Sequence, residues 1–380
     1  MRKTINIGDL GTIITGKTPP TTNKNYYGDY AVFIKPTDIS EQSKYTYETE
    51  EMYSKLAAEK YESSLIPKGA ICVPCIGTIG TKMTMTPCDC YTNQSINSII
   101  CNENYDNEYV YYLIKNFLPG LKAYNLGTAS GREYVSKSNF EKIELVAEQD
   151  KEIQKKIGII LSRSASLIEN YQKQIKLLGE AAQRLYKEWF IVLHFPGHEI
   201  TNIIDGVPEG WEKKKVGDIT PIITGKKDAN FGTPDGEYPF FTCSQEPIKA
   251  PSFSFDCAAV LLAGNGDFNV KLYRGRFEAY QRTYVLSPYI DSHLYLLFYT
   301  ISANMTKLAA GSSGSTIKFL TKGMIDGINL NVPNDEILRS FNKKVEPIQS
   351  SRESLQSQLR LLTEARDRLL PKLMSGEITI

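Results

Sequence analysis

The sequence predicts an α+β chain in two similar halves, each a mixed, strand-rich globular region followed by a long helix. Three observations carry this: a sequence echo near the start of each half, a repeated helical motif, and heptad-spaced apolar residues. The opening IGDLGTIITGK (7–17) returns as VGDITPIITGK (216–226). GTASGREYVSKSNFEKIEL (127–145) resembles GSSGSTIKFLTKGMIDGINL (311–330), a small-residue loop followed by an aromatic-bearing, alternating run. QIKLLGEAAQRL (174–185) aligns without a gap with QLRLLTEARDRL (358–369), at a constant offset of 184 residues. A repeat of this length marks two copies of one structural unit.

The first globular region, 1–147, carries short alternating runs broken by Gly, Pro and Asn, the pattern of brief strands and turns. SLIPKGAICVPCIGTIGTKM (64–83) reads as strand, Gly-rich turn, strand. The segment 148–193 follows as the first helix. Ile153, Ile157, Ile160, Ser164, Leu167 or Ile168, Tyr171, Ile175, Leu178, Ala182, Leu185 and Trp189 recur at alternating steps of three and four, a narrow helix–helix seam. Region 194–333 opens with the connector HFPGHEITNIIDGVPEGWEKK, rich in turn residues, and continues as the second globular region. There DCAAVLLAGNGDFNVKLYRG (256–275) repeats strand, Gly-rich turn, strand. The last segment, 334–380, is the second helix, with Phe341, Val345, Ile348, Arg352, Leu355, Leu359, Leu362, Arg366, Leu369 and Leu373 on its seam. Two seams of four or more heptads predict that the helices pair with each other. The expected pairing residues are Ile157, Leu161, Ile168, Tyr171, Ile175, Leu178, Leu185 and Trp189 on the first helix. On the second they are Val345, Leu355, Leu359, Leu362, Leu369 and Leu373. Ser164, Arg352 and Arg366 interrupt the seams, and the arginines are expected to snorkel or to find acidic partners.

Composition narrows the function. The chain has 380 residues, 41% hydrophobic and 23% charged, with a net charge of +1, so any basic surface is local. No run approaches a membrane span, and the N-terminus lacks a signal-peptide pattern. Seven scattered cysteines suit a reducing cytoplasm better than a disulfide framework.

Chemistry-bearing motifs are few. GTIITGKT (11–18) fits the pattern of a phosphate-binding loop, G-x-x-x-x-G-K-[ST]. That loop needs a helix directly after its lysine, but PPTTNKNYYGDY follows, and proline cannot extend a helix there. The echo TPIITGKK also replaces the first glycine and the hydroxyl residue, so a strand ending in a Gly-Lys turn is the better reading. Cys72 and Cys75, with Cys88 and Cys90, have zinc-like spacing, but the second half has no counterpart, and buried cysteine is a common small hydrophobe. His194 and His198 are separated by Pro196 and Gly197 and cannot share a helical face. No metal site is expected. No catalytic motif stands out, so the chain reads as non-catalytic. What remains are basic, aromatic and amide residues on Gly-rich loops. Arg274, Arg276, Tyr280, Gln281 and Arg282 form the densest group, and Lys82, Asn93 and Gln94 are its counterpart. Arg and Lys suit phosphates and guanine edges, Asn and Gln suit adenine edges.

Together these features resemble the specificity subunit of Type I restriction–modification systems, over essentially the whole chain. The resemblance lies in LLGEAAQRLYKEWF followed by HFPGHE (177–199), in VPEGWEKKKVGDI (207–219) and in RDRLLPKLMSGEI (366–378). GKTP, TNQSIN (92–97) and FEAYQRTYVL (277–286) look like the family's recognition segments. The resemblance implies two target recognition domains joined by two long, antiparallel coiled-coil helices with pseudo-twofold symmetry. It implies a non-catalytic reader of double-stranded DNA, bound to two modification subunits that methylate adenine N6. Cofactors would reside in partners: S-adenosylmethionine in the modification subunits, ATP and Mg in the restriction subunits. It also implies a bipartite, asymmetric DNA site whose gap is set by the helices. Candidate DNA contacts are Lys17, Thr18, Lys35, Thr78, Lys82, Asn93, Gln94 and Arg132 in the first half. In the second they are Lys226, Lys227, Arg274, Arg276, Tyr280, Gln281, Arg282 and Lys318.

Overall fold

A computed structural model describes every residue except 42, 78, 128–132 and 313–317. Thr78 and Arg132 therefore lie outside the described residues. The chain divides into two compact units, Met1–Lys173 with Gln356–Ile380, and Gln174–Leu355.

In chain order the first unit holds β1 (Arg2–Asn6), β2 (Gly11–Thr15), β3 (Tyr27–Ile34), β4 (Met52–Tyr53) and α1 (Lys55–Lys60). β5 (Ile71–Pro74), β6 (Thr84–Met85), β7 (Tyr91–Thr92), β8 (Ile96–Cys101) and α2 (Asn107–Phe117) follow, then α3 (Lys137–Glu141) and β9 (Glu144–Glu148). α4 (Lys151–Tyr186) begins in the first unit and ends in the second. The second unit continues with β10 (Ile203–Ile204), β11 (Val207–Pro208), β12 (Glu212–Lys215), α5 (Val216–Ile219), β13 (Ile222–Thr224) and β14 (Tyr238–Phe241). β15 (Ile248–Ala250), β16 (Phe255–Ala263), β17 (Val270–Ala279), β18 (Thr283–Leu286), α6 (Leu294–Gly311), α7 (Lys322–Asp326) and β19 (Asn329–Val332) complete it. α8 (Asp335–Ser375) starts in the second unit and ends in the first.

The repeat read from sequence is explicit in the pairing. β1 pairs antiparallel with β9, and β12 with β19. β2-β8-β5 in the first unit corresponds to β13-β18-β16 in the second. β3 pairs parallel with β7, as β14 does with the end of β17. The second strand–turn–strand reading holds, with β16 and β17 in a long hairpin and Leu262 opposite Val270; in the first, β5 lies within 64–83 but its antiparallel partner β6 begins one residue beyond, at Thr84. A strongly buried helix backs each sheet: Tyr109–Ile114 of α2 and Leu294–Ile301 of α6 are buried throughout.

The helices pair antiparallel, as each unit shows on its own. In the first unit Ile157 and Leu161 of α4 share a core with Leu370, Leu373 and Met374 near the end of α8, and Leu369 packs against it. In the second, Ala182 and Tyr186 near the end of α4 share a core with Phe341 and Val345 near the start of α8. A π-helical turn, Lys187–Ile191, brings Trp189 and the adjacent Phe190 into that core together. Ile160 and Leu167 are 36% and 41% exposed, while Leu161 and Ile168 are buried. The buried or half-buried positions keep heptad spacing: Leu161, Ile168, Ile175, Ala182 and Trp189 are each seven apart, and Ile160 and Leu167 sit one residue, about 100°, off that line. Tyr171, Ile175, Leu178, Leu185, Leu355, Leu359 and Leu362 are half-buried.

Polar contacts fasten α4 and α8 to the first domain. Glu108 on α2 accepts hydrogen bonds from buried Lys44 and from Ser162 of α4. Arg2 donates to the Leu373 and Met374 carbonyls at 2.8 and 3.1 Å, closing the C-terminus of α8 with a cation where the helix dipole favours one. Arg366 meets Asp367 at 2.7 Å, as expected of a seam arginine. Arg352 does not: its Nη1 donates to the amide oxygen of Gln349 at 2.9 Å. A glutamine one turn away lies closer than any carboxylate on its side of the seam.

Candidate nucleic-acid interface

GTIITGKT forms strand β2 and then a loop, with no α-helix after Thr18 until Lys55. Its glycine has a reason the motif did not suggest. A Cβ on Gly16 would lie 2.1 Å from the Thr92 carbonyl oxygen and 2.4 Å from that of Asn93. A Cβ on Gly225 would lie 1.9 Å from the Ala279 carbonyl oxygen. In both halves the chain leaving the strand is pressed against a second segment, and only glycine allows that approach.

The two corners share three backbone bonds. Gly16 N donates to Ile96 O and Gly225 N to Thr283 O, each at 3.1 Å. Asn93 N donates to Ile34 O and Tyr280 N to Phe241 O, each at 3.0 Å. Ile96 N donates to Asn93 O at 3.1 Å and Thr283 N to Tyr280 O at 2.8 Å. A further bond ties the turn to the polar stretch in opposite senses: Lys17 N donates to Thr92 O, whereas Gln281 N donates to Lys227 O, each at 2.9 Å. Three segments thus meet in each unit: the Gly-Lys turn, the end of β3 or β14, and the polar stretch before β8 or β18. By this register Asn93 corresponds to Tyr280, Gln94 to Gln281 and Ser95 to Arg282.

The candidates at the corners differ in freedom. Lys17, Thr18, Gln94, Lys226, Gln281 and Arg282 are exposed, and Asn93, Lys227 and Tyr280 are half-buried. Thr18 Oγ1 donates to Gln94 Oε1, which orients the amide so that its NH₂ faces away from the threonine. Gln281 Nε2 donates to Asp228 Oδ1 at 2.8 Å. The Lys17 carbonyl is fixed by the Tyr53 hydroxyl at 2.6 Å, and Tyr53 stacks on Tyr91 with centroids 4.6 Å apart. The Lys227 ammonium lies 4.4 Å from the Phe231 ring centroid.

Other candidates are held elsewhere. Lys35 follows β3 at the first corner, but its ammonium meets Glu50 at 2.7 Å and Glu51 at 3.1 Å. Burial alone would lower its pKa; hydrogen bonds and charges of the two glutamates outweigh this and raise it. Arg274 lies over the Tyr295 ring on the α6 side of the sheet, and Arg276 pairs across the hairpin with Asp256 at 3.1 Å. These two do not join the corner formed by Tyr280–Arg282. Lys82 lies between β5 and β6, and exposed Lys318 follows the undescribed stretch. Reading loops alone missed Thr242, Cys243 and Ser244, which stand after β14 where the first unit has Lys35. The only sequence signal was a shared aromatic strand end, VFI in one half and PFF in the other.

Cys72, Cys75 and Cys90 are buried, and Cys88 is exposed. Burial pushes the Cys72 and Cys75 thiols up to about 12. Among the described residues no group of three His, Cys, Asp or Glu side chains gathers to hold a metal, and no helix is long and apolar enough to cross a membrane.

Two like modules on one antiparallel helix pair, each exposing a lysine turn beside an amide-bearing segment, define a two-module recognition protein. The chain belongs to the Type I restriction modification DNA specificity domain family, whose model matches residues 2–178 and 208–351. It is 36% identical over 177 residues to the EcoDI specificity subunit of Escherichia coli, a match covering 46% of this chain and 40% of that one. It thus spans under half the length of that relative. It is 26% identical to the MjaIX specificity subunit of Methanocaldococcus jannaschii, covering 98% of this chain and 93% of that one. The fold matches the Type I restriction–modification S subunit from M. genitalium with a TM-score of 0.70 at 15% identity, covering 98% of this chain and 96% of that one. These relatives are Type I specificity subunits, and DNA specificity is what the family's description names.

Proposed function

We propose that each recognition module reads one half of a bipartite, asymmetric DNA site through its corner. The observation that carries this reading is the duplicated backbone corner with unlike side chains. The shared Gly-Lys turn offers one cation to each half-site: Lys17 in one module and Lys226 in the other. The differing residues, Asn93 against Tyr280 and Ser95 against Arg282, make the two half-sites unequal. Cations position a protein on phosphates, and amides and guanidinium groups discriminate base edges.

In this reading the chain does no chemistry. It directs methylation and cleavage by two modification subunits and by restriction subunits, which bring S-adenosylmethionine and ATP with Mg. It acts in the cytoplasm. In this reading the readers are 1–147 and 194–333 and the spacers 148–193 and 334–380; the long helices α4 and α8 support that division. Continuous α4, at about 1.5 Å per residue over 36 residues, supports a rigid spacer between half-sites. Methylation-site mapping in a host carrying the complex tests the proposal. Removing one heptad from each helix should change or abolish the spacer between half-sites. An unchanged spacer would refute the ruler. A complex that assembles but binds all duplexes alike would instead favour a coiled-coil scaffold.

A further inference from the structure

Arg352 occupies a seam position where the repeat argues for an apolar residue. At the offset of 184 that relates the two helices, its counterpart is Ile168, which is buried. The residue facing Arg352 is also off pattern. It is Gly179, whose counterpart is Thr363, and a Cβ there would stand an ordinary 3.4 Å from the guanidinium. Glycine inside a helix costs about 1 kcal/mol against alanine, and here no steric conflict requires it. The pair opens a cleft of about 240 Å³ in the second unit, lined by Gly179, Gln183, Tyr299, Ser302, Met305 and Arg352 among others.

Two polar groups that line this cleft lack partners: Arg352 Nε and the Tyr299 hydroxyl are buried without a hydrogen bond, and Tyr299 is 1% exposed. Gln349, 3% exposed, accepts from Arg352 and leaves its own Nε2 unpartnered. Both lining groups are hydrogen-bond donors, and no acidic side chain lines the cleft. A buried donor left unmet is costly. A cluster of donors around one cation is chemically complementary to an oxyanion.

We propose that this cleft binds a small oxyanion, a phosphate or carboxylate group, seated on Arg352 with the Tyr299 hydroxyl. The occupant bridges α4, α6 and α8 within the second unit and satisfies Arg352 Nε and the Tyr299 hydroxyl together. The cleft has room for such a group and accompanying water, at about 30 Å³ per water.

Equilibrium dialysis of the full-length chain with radiolabelled inorganic phosphate, at constant ionic strength in chloride, tests this. A parallel series with acetate separates phosphate preference from carboxylate preference; saturable binding of either anion at this site supports it. R352M should weaken binding by on the order of tenfold or more, the value of a charge-assisted contact. K226A, which alters a candidate DNA contact, should bind as the wild type does. Y299F removes one unpartnered hydroxyl with little change in packing, so it decides the matter if R352M fails to fold; it too should bind more weakly. No saturable binding, or wild-type binding by R352M or Y299F, would overturn the proposal and leave the cleft to water.

Discussion

Replacing Gly225 with alanine should open the second corner without unfolding the protein. The added Cβ would stand 1.9 Å from Ala279 O and 2.6 Å from Tyr280 O. Both are backbone atoms of a paired strand end, so the segments must separate by more than about 1 Å to reach ordinary contact. Three hydrogen bonds depend on that approach: Gly225 N to Thr283 O, Tyr280 N to Phe241 O and Gln281 N to Lys227 O. At about 0.5–1.5 kcal/mol net for each, the local cost is about 2–4 kcal/mol. Domain stabilities run to about 5–15 kcal/mol, so the fold should survive. Hydrogen exchange reads the effect directly. The Tyr280 and Gln281 amides should lose protection by roughly 30-fold or more, since each 1.4 kcal/mol is about tenfold, while α6 amides keep theirs. Gly323→Ala is the control. No atom lies within 4 Å of its added Cβ, and it sits in helix α7, so it should be neutral or stabilising by up to about 1 kcal/mol. Wild-type protection at Tyr280 and Gln281 in the Gly225 variant would refute the claim that close approach fixes this glycine. Reduced DNA affinity of the assembled complex, alongside lost protection, would tie the corner to recognition.

Leu161, fully buried beside Ile157 and Leu370, should cost about 2–5 kcal/mol on truncation to alanine in chemical denaturation. Leu361, 57% exposed, should cost within about 0.5 kcal/mol, which the same titration checks. Burial, followed by the Arg366 charge, lowers the Lys115 pKa to about 8. Below pH 8 this lysine is protonated folded and unfolded, and its burial penalty is present in full. Between about 8 and 10.4 the folded state releases the proton first, so the penalty is relieved as pH rises. The stability advantage of K115M over wild type should therefore shrink across that window, and a gap independent of pH would count against it. Lys17→Ala should weaken binding across all duplexes and reduce the salt slope by about one, measured by titration at several salt concentrations. Loss of preference at a single base would instead make Lys17 a base reader.

Helices and repeat were legible in the sequence because their signals are local. A heptad is read within seven residues, and the motif at 174–185 returns at 358–369 without a gap. The seam as read by steps of three and four holds Ile160 and leaves Leu167 or Ile168 open, whereas the expected pairing set takes Leu161 and Ile168, and these are the buried ones. Arg352 was visible as an interruption, but its missing carboxylate is a fact of three dimensions.

The corners show most clearly where local reading stops. Their glycines and lysines were found because Ile-Ile-Thr-Gly-Lys recurs. Their partners were not aligned, because spacing drifts along the repeat: Gly225 follows Gly16 by 209 residues, Phe241 follows Ile34 by 207, and Ala279 follows Thr92 by 187. Loops of different length lie between these anchors, and loops tolerate such change because closure entropy grows only slowly with length. Backbone hydrogen bonds do not tolerate it, so three pairs of equivalent bonds recur while the side chains around them diverge. That division is what a recognition module requires. An invariant backbone corner fixes where the chain meets its target, and replaceable side chains at Asn93 or Tyr280 and at Ser95 or Arg282 determine what it reads. Arg274 and Arg276, the most conspicuous cations in the sequence, fall outside that division. One lies over Tyr295 and the other pairs with Asp256, so their charge serves the hairpin that holds the corner in place.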